Sequence, residues 1–158
     1  MEEKPRFLVY GLLSALLAGF LYIIVFIVQG LAMDPPDMFG MLKMMGSMMG
    51  DIGLDPVMVG LMFHSVMGTI ILGITFGILL ILLKDYFSLG DRNKQLLFGF
   101  LWGIFVFMVG PLMMVPMMSG DPLFDLSLVN MISGVGHMVW GPIMGYLVYS
   151  FDNKGYFK

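Results

Sequence analysis

The chain contains no cysteine. That absence removes disulfides, thiolate zinc sites and iron–sulfur clusters, and it leaves the redox compartment unmarked. Charge is also scarce: Asp, Glu, Lys and Arg together make up 12% of 158 residues, about half the share usual in soluble domains. Eight basic against eleven acidic residues give a net charge of −3, which argues against nucleic acid as a partner. No Walker loop, dinucleotide fingerprint or zinc-protease pair occurs, and no Ser/His/Asp set stands out. The sequence therefore nominates no catalytic residue, and enzymatic activity of the chain by itself is not expected.

What is abundant is apolar. Hydrophobic residues account for 59% of the chain and mean hydropathy is +0.93, the composition of a protein whose surroundings are a lipid bilayer. Four charge-free runs, at residues 7–29, 57–83, 96–118 and 126–151, are each long enough to cross a hydrocarbon core of about 30 Å as a helix. The expected fold is all-α: a polytopic membrane four-helix bundle forming one domain over residues 1–158. Asp34-Pro35-Pro36-Asp37 ends the first run and Asp55-Pro56 opens the second, because proline cannot continue a helix but suits its first turn. Pro111 and Pro116 predict a kink or early stop in the third run, and Gly141-Pro142 a bend in the fourth.

Orientation follows from the basic residues. Lys4, Arg6, Lys84, Arg92, Lys94, Lys154 and Lys158 flank one end of the runs, and only Lys43 flanks the other. The positive-inside rule then predicts a multi-pass protein of the cell membrane with both termini cytoplasmic. The chain also divides into two hairpins of similar plan, which suggests a parallel repeat.

Two features interrupt the apolar pattern. Residues 38–50 are methionine-rich, and Met38, Met41, Met45, Met48 and Met49 recur at helical steps, predicting a short interfacial helix in the first outer loop. It would lie flat on the membrane surface or pack over the bundle. The second feature is the pair of histidines, the only two in the chain. Each lies in a common frame, Gly60, His64 and Gly68 in the second run and Ser133, His137 and Gly141 in the fourth. A spacing of four places all three residues on one helix face. Both imidazoles are expected roughly 12–16 Å below the outer surface, turned inward because a polar ring is costly against lipid.

Three readings of this pair follow from the residues. A b-type haem would take His64 and His137 as axial ligands, with Gly60, Gly68, Gly136 and Gly141 leaving room for the macrocycle. A copper site would combine the two imidazoles with thioethers, Met113 and Met117 among them, since soft sulfur and imidazole ligands suit copper. Without a cofactor, the histidines would hydrogen-bond within the bundle, to Ser133 for example, and the glycines would serve close helix packing.

Several motifs in order, Met33-Asp34-Pro35-Pro36-Asp37-Met38, Gly46-Ser47-Met48-Met49, His64-Ser65-Val66-Met67-Gly68, Pro111-Leu112-Met113-Met114-Val115-Pro116-Met117-Met118 and Gly136-His137-Met138-Val139-Trp140-Gly141, cover most of the chain. With them the sequence resembles an uncharacterised four-helix integral membrane protein family of bacteria and archaea, a domain of unknown function. The resemblance implies the fold and directs attention to the histidines, but it carries no activity. The function expected from these observations is that of a small accessory or redox-associated subunit in a larger membrane complex, of the terminal oxidase or membrane monooxygenase type. Other membrane subunits, or further copies of the chain, are the expected partners.

Overall fold

The structure, a computed structural model, describes residues 3–87 and 90–156. Lys158 and the side chains of Lys4 and Lys84, which enter the charge count above, lie outside the described residues. No strand occurs among the described residues. Helix α1 (Glu3–Leu31) is the first span and α2 (Gly40–Ser47) is the short methionine helix. The second span runs through α3 (Pro56–Phe63), a π-helical stretch at His64–Ile71 and α4 (Leu72–Phe87). The third joins α5 (Arg92–Val109) to α6 (Val115–Ser119) through a second π-helical stretch at Gly110–Met114, and α7 (Leu128–Lys154) is the fourth. Four helices are thus long and apolar enough to cross a membrane, over Pro5–Leu31, Pro56–Leu83, Arg92–Ser119 and Leu128–Lys154.

Local chemistry fixes the ends. The Asp55 carboxylate accepts the amide protons of Val57 and Met58 at the start of α3, with Pro56 in the first turn where its missing N–H costs nothing. Asp91 caps α5 in the same way through Asn93 and Lys94. Gly120 and Gly155 close α6 and α7 in the left-handed conformation, at φ of 80° and 69°. Of the kink or early stop expected at Pro111, the stop does not occur: the span is interrupted there but continues past it. Its turn widens to a π-helix there, which relieves the clash a proline ring makes with the preceding turn.

Glycines determine which helices touch. A Cβ at Gly11 would lie 2.4 Å from the Gly73 carbonyl oxygen, so spans one and two pack backbone to backbone. Gly99 and Gly103 of the third span meet Gly141 and His137 of the fourth in the same manner, with added Cβ atoms 2.2 Å from the carbonyl oxygens. Gly136 receives Tyr22 and Val25 of the first span. These are the small-residue seams through which membrane helices associate. They arrange the spans around the bundle as two, one, four, three, which leaves spans two and four diagonal. The closing side, between spans two and three, is made by bulky side chains instead: Phe76 stacks on Phe98 at 5.5 Å and lies 6.0 Å from Trp102.

Helix α2 packs onto the bundle. Its Gly46 meets the Pro56 carbonyl, and Gly60 of α3 meets the Leu42 carbonyl, so the two helices lie in backbone contact. Met41, Leu42 and Met45 are buried by this contact, whereas Met38 and Met49 of the predicted stripe are about half exposed. Lys43 points away from the bundle and pairs with Asp37 at 2.6 Å.

Candidate functional site

Above the Phe76, Phe98 and Trp102 cluster, on the α2 side, the bundle encloses a cavity of about 210 Å³. Both histidines line it from opposite corners, His64 from the second span and His137 from the fourth. The inward orientation expected from polarity is therefore what the bundle adopts. Tyr22 of the first span joins the two rings. Its ring stacks on His64 at 5.9 Å, and its hydroxyl oxygen lies 2.6 Å from His137 Nδ1. Phe26, one turn further along, meets His64 edge to face at 4.6 Å.

The hydrogen bonds around His137 determine its tautomer. Nδ1 lies 2.8 Å from the Ser133 carbonyl oxygen, which can only accept. A bare Nδ1 would set lone pair against lone pair, so Nδ1 carries the proton and donates it to Ser133, sharing it with the Tyr22 oxygen. The Tyr22 hydroxyl in turn donates to Ser133, whose carbonyl and hydroxyl oxygens lie at 3.2 and 3.1 Å. All the short contacts are satisfied at once, and the lone pair of His137 is left on Nε2. That nitrogen makes no hydrogen bond among the described residues. An Nδ1–H held by a backbone carbonyl is the arrangement that orients an imidazole for ligation through Nε2.

His64 has less support. Its ring lies over Gly68, where an added Cβ would be 2.9 Å from Nδ1. This is the open face that the spacing of four predicts. Its Nε2 is buried and has no hydrogen-bond partner among the described residues. A buried polar atom without a partner costs about 1–3 kcal/mol, so a water, ion or ligand that met this nitrogen in the cavity would stabilise the fold.

The remaining lining is dominated by thioethers. Met41, Met44 and Met45 come from α2 and Met48 from the residue that caps it, Met67 from the second span, and Met114 and Met118 from the third. Met113 and Met117, two of the methionines named from the sequence, are not among the lining residues, and Met117 is 71% exposed. The π-helical stretch at Gly110–Met114 breaks the regular helical count there, and Met114 and Met118 line the cavity while remaining partly open at its edge. Tyr22 and Gln29 were not singled out in the sequence. Gln29 also lines the cavity, donates to the Val129 carbonyl at 3.0 Å, and has its side-chain oxygen buried without a partner. Their signal was the spacing Tyr22, Phe26, Gln29, which places the polar groups of that end of α1 on one face.

The lining discriminates between cofactors. Gly60, Gly136 and Gly141, expected to leave room for a macrocycle, are filled by Leu42, by Tyr22 and Val25, and by Gly99. Only Gly68 opens on the cavity. The volume falls below the roughly 300–1,000 Å³ of pockets for drug-sized ligands, and no Lys or Arg lines the space to meet propionates. The residues do not fit haem. They also do not fit a hard cation, since among the described residues no three His, Cys, Asp or Glu side chains converge. Two imidazoles with surrounding thioethers do match a soft monovalent ion such as Cu(I).

No protein-family model, curated protein or solved structure matches the chain. Its chemistry is therefore inferred from this cavity.

Proposed function

We propose that the chain is a small integral membrane protein that holds cuprous copper between His64 and His137, with both termini on the cytoplasmic side, as an accessory subunit of a redox complex in the same membrane. The observation that carries this reading is the buried, unpartnered Nε2 of His64, in one cavity with a His137 whose Nδ1–H is already committed to Ser133. Histidine Nε2 atoms would supply the nitrogen ligands, and one or more of Met41, Met45 and Met67 the thioether. The residues around the ion perform a holding function: Ser133 and Tyr22 fix one imidazole, Gly68 and Phe26 seat the other. The six aspartates of the loops at the α2 end, opposed only by Lys43, favour approach of a cation from that side.

A second reading, a structural subunit without a cofactor, draws on a different observation. The hydrogen bonds from His137 to Ser133 and Tyr22 would tie spans one and four together whether or not a metal is bound. Metal analysis and a reduced-minus-oxidised spectrum of detergent-purified protein, beside His64→Ala and His137→Ala, separate the two. The expected result is about one copper per chain, no Soret band, and loss of the copper in both variants. Wild-type protein that takes up no copper under reducing conditions refutes the copper reading, and a Soret band would restore haem.

A further inference from the structure

Helix α2 is not needed to bring the two histidines together, yet with its capping residue Met48 it contributes four of the seven methionines that line the cavity. Its methionines are graded in exposure. Met48 and Met44 are partly exposed, whereas Met45 and Met41 are buried, at 7% and 8%. Across the cavity from them, Met118 and Met114 of the third span line the wall while remaining 44% and 39% exposed. Methionines thus line the cavity from its exposed rim to its buried part, where the histidines also lie. The helix is also held in one place: backbone contacts at Gly46 and Gly60 fix it to α3, and the Lys43 to Asp37 pair fixes its loop.

The rim has a charge to match. Asp34, Asp37, Asp51, Asp55, Asp121 and Asp125 occupy the three segments at this end, and Lys43, the single basic residue there, is already paired. Acidic loops at this end favour the approach of cations, and a neutral lining rich in thioethers favours those that exchange water for soft ligands. Calcium and magnesium would stay outside, since they favour oxygen ligands.

We infer that α2 is an acquisition arm: Cu(I) enters at the α2 end and passes from Met48, Met44 and Met118 through Met45 and Met41 to the histidine pair. This inference rests on the copper reading above and adds the route and the selectivity of loading. No redox step is involved, because the ion enters and remains as Cu(I), exchanging one thioether for the next.

The test is the rate of copper transfer from a chromophoric Cu(I) chelator to the full chain in nanodiscs, under reducing conditions. Three proteins are compared: wild type, a Met44→Leu/Met48→Leu/Met118→Leu variant, and Met117→Leu, whose side chain lies outside the cavity. Leucine for methionine nearly conserves volume, so the bundle is retained, and circular dichroism with Met48→Leu alone provides a milder check on folding. The expected result is unchanged final stoichiometry in all three proteins, with loading at least about tenfold slower in the triple variant, as the loss of a local concentrating step implies. A triple variant that loads at the wild-type rate overturns the arm but leaves the histidine site standing. One that loses equilibrium binding also overturns it, because those sulfurs would then be final ligands. Failure of wild type to load at all refutes the underlying copper site.

Discussion

Gly141→Ala tests the packing on which the whole site depends. A methyl group at residue 141 would lie 2.1 Å from the Gly99 carbonyl oxygen, where ordinary contact begins at 3.4 Å. The obstacle is backbone, so no rotamer change relieves it, and spans three and four must separate locally by roughly an ångström. Overpacking of this kind typically costs about 1–3 kcal/mol. The upper part of that range is expected here, since Gly145 faces the Gln95 carbonyl in the same seam at 2.1 Å and loses its fit when the helices move apart. Reversible unfolding of detergent-solubilised protein by added SDS would measure the change. Gly110→Ala is the control, because nothing lies within 4 Å of its added Cβ, and a change within about 0.5 kcal/mol is expected. Gly103→Ala should match Gly141→Ala in stability and also disturb copper binding, as its methyl group would press on the His137 carbonyl at 2.2 Å. A Gly141→Ala protein as stable as wild type would mean that the seam between spans three and four is not as described.

Two further outcomes follow from the hydrogen bonds. Tyr22→Phe removes the hydroxyl beside His137 but leaves the Ser133 carbonyl to hold Nδ1–H; affinity for Cu(I) should fall by about tenfold, the lower end for an outer partner of a ligand, and competition with a chelator would show it. Abolished binding would make Tyr22 a ligand, and unchanged binding would remove it from the site. The Lys43 ammonium and the Phe39 amide hold the Asp37 carboxyl below its ordinary value of 3.8. A depressed pKa stabilises the folded loop above the ordinary value and loses that contribution as pH falls through the depressed one. Hydrogen-exchange protection of α2, corrected for the intrinsic rate, should accordingly be flat from pH 7 to pH 5 (about two units of the range) and decline only below about 3.8. A decline between pH 7 and 5 would show that another group anchors the helix.

The spans were legible because charge-free runs of that length have few alternatives. Their ends moved by a few residues where capping decided them: Asp91 draws the third helix back to Arg92, and Gly155 lets the fourth run to Lys154. The convergence of His64 and His137 was also legible, since an imidazole among apolar side chains has few places to face except the interior. The cofactor implied by the glycines was not. A glycine that admits a ligand and one that admits a neighbouring backbone are the same residue in sequence, and at Gly60, Gly136 and Gly141 the backbone or side chain of another helix takes the space. The thioethers were legible only as a crowd of methionines near the outer helix ends: the cavity is lined by Met114 and Met118 rather than by Met113 and Met117, and the π-helical turn at Gly110–Met114 is where a regular helical count no longer applies. Tyr22 was hidden by composition, because a tyrosine in an apolar run reads as one more hydrophobic residue.

The position of the cavity follows from how the four sides of the bundle are made. Three sides close on small residues: Gly11 with Gly73 and Gly77, Gly136 with Tyr22 and Val25, and Gly99 and Gly103 with Gly141 and Gly145. The fourth, between spans two and three, has no such seam. Its half near the chain termini is filled by Phe76, Phe98 and Trp102, which hold the helices apart by the width of an aromatic ring. Continued toward α2, that separation has no aromatic stack to fill it, and both spans become π-helical along this stretch, at His64–Ile71 and Gly110–Met114. A π-helical turn adds a residue and changes which side chains face inward. The result is that His64 and Met67 on one wall and Met114 on the other turn into a space the helix axes have already opened. The two departures from α-helical geometry thus lie along the two walls of the cavity, and His64, Met67 and Met114, which line those walls, belong to the departing turns themselves.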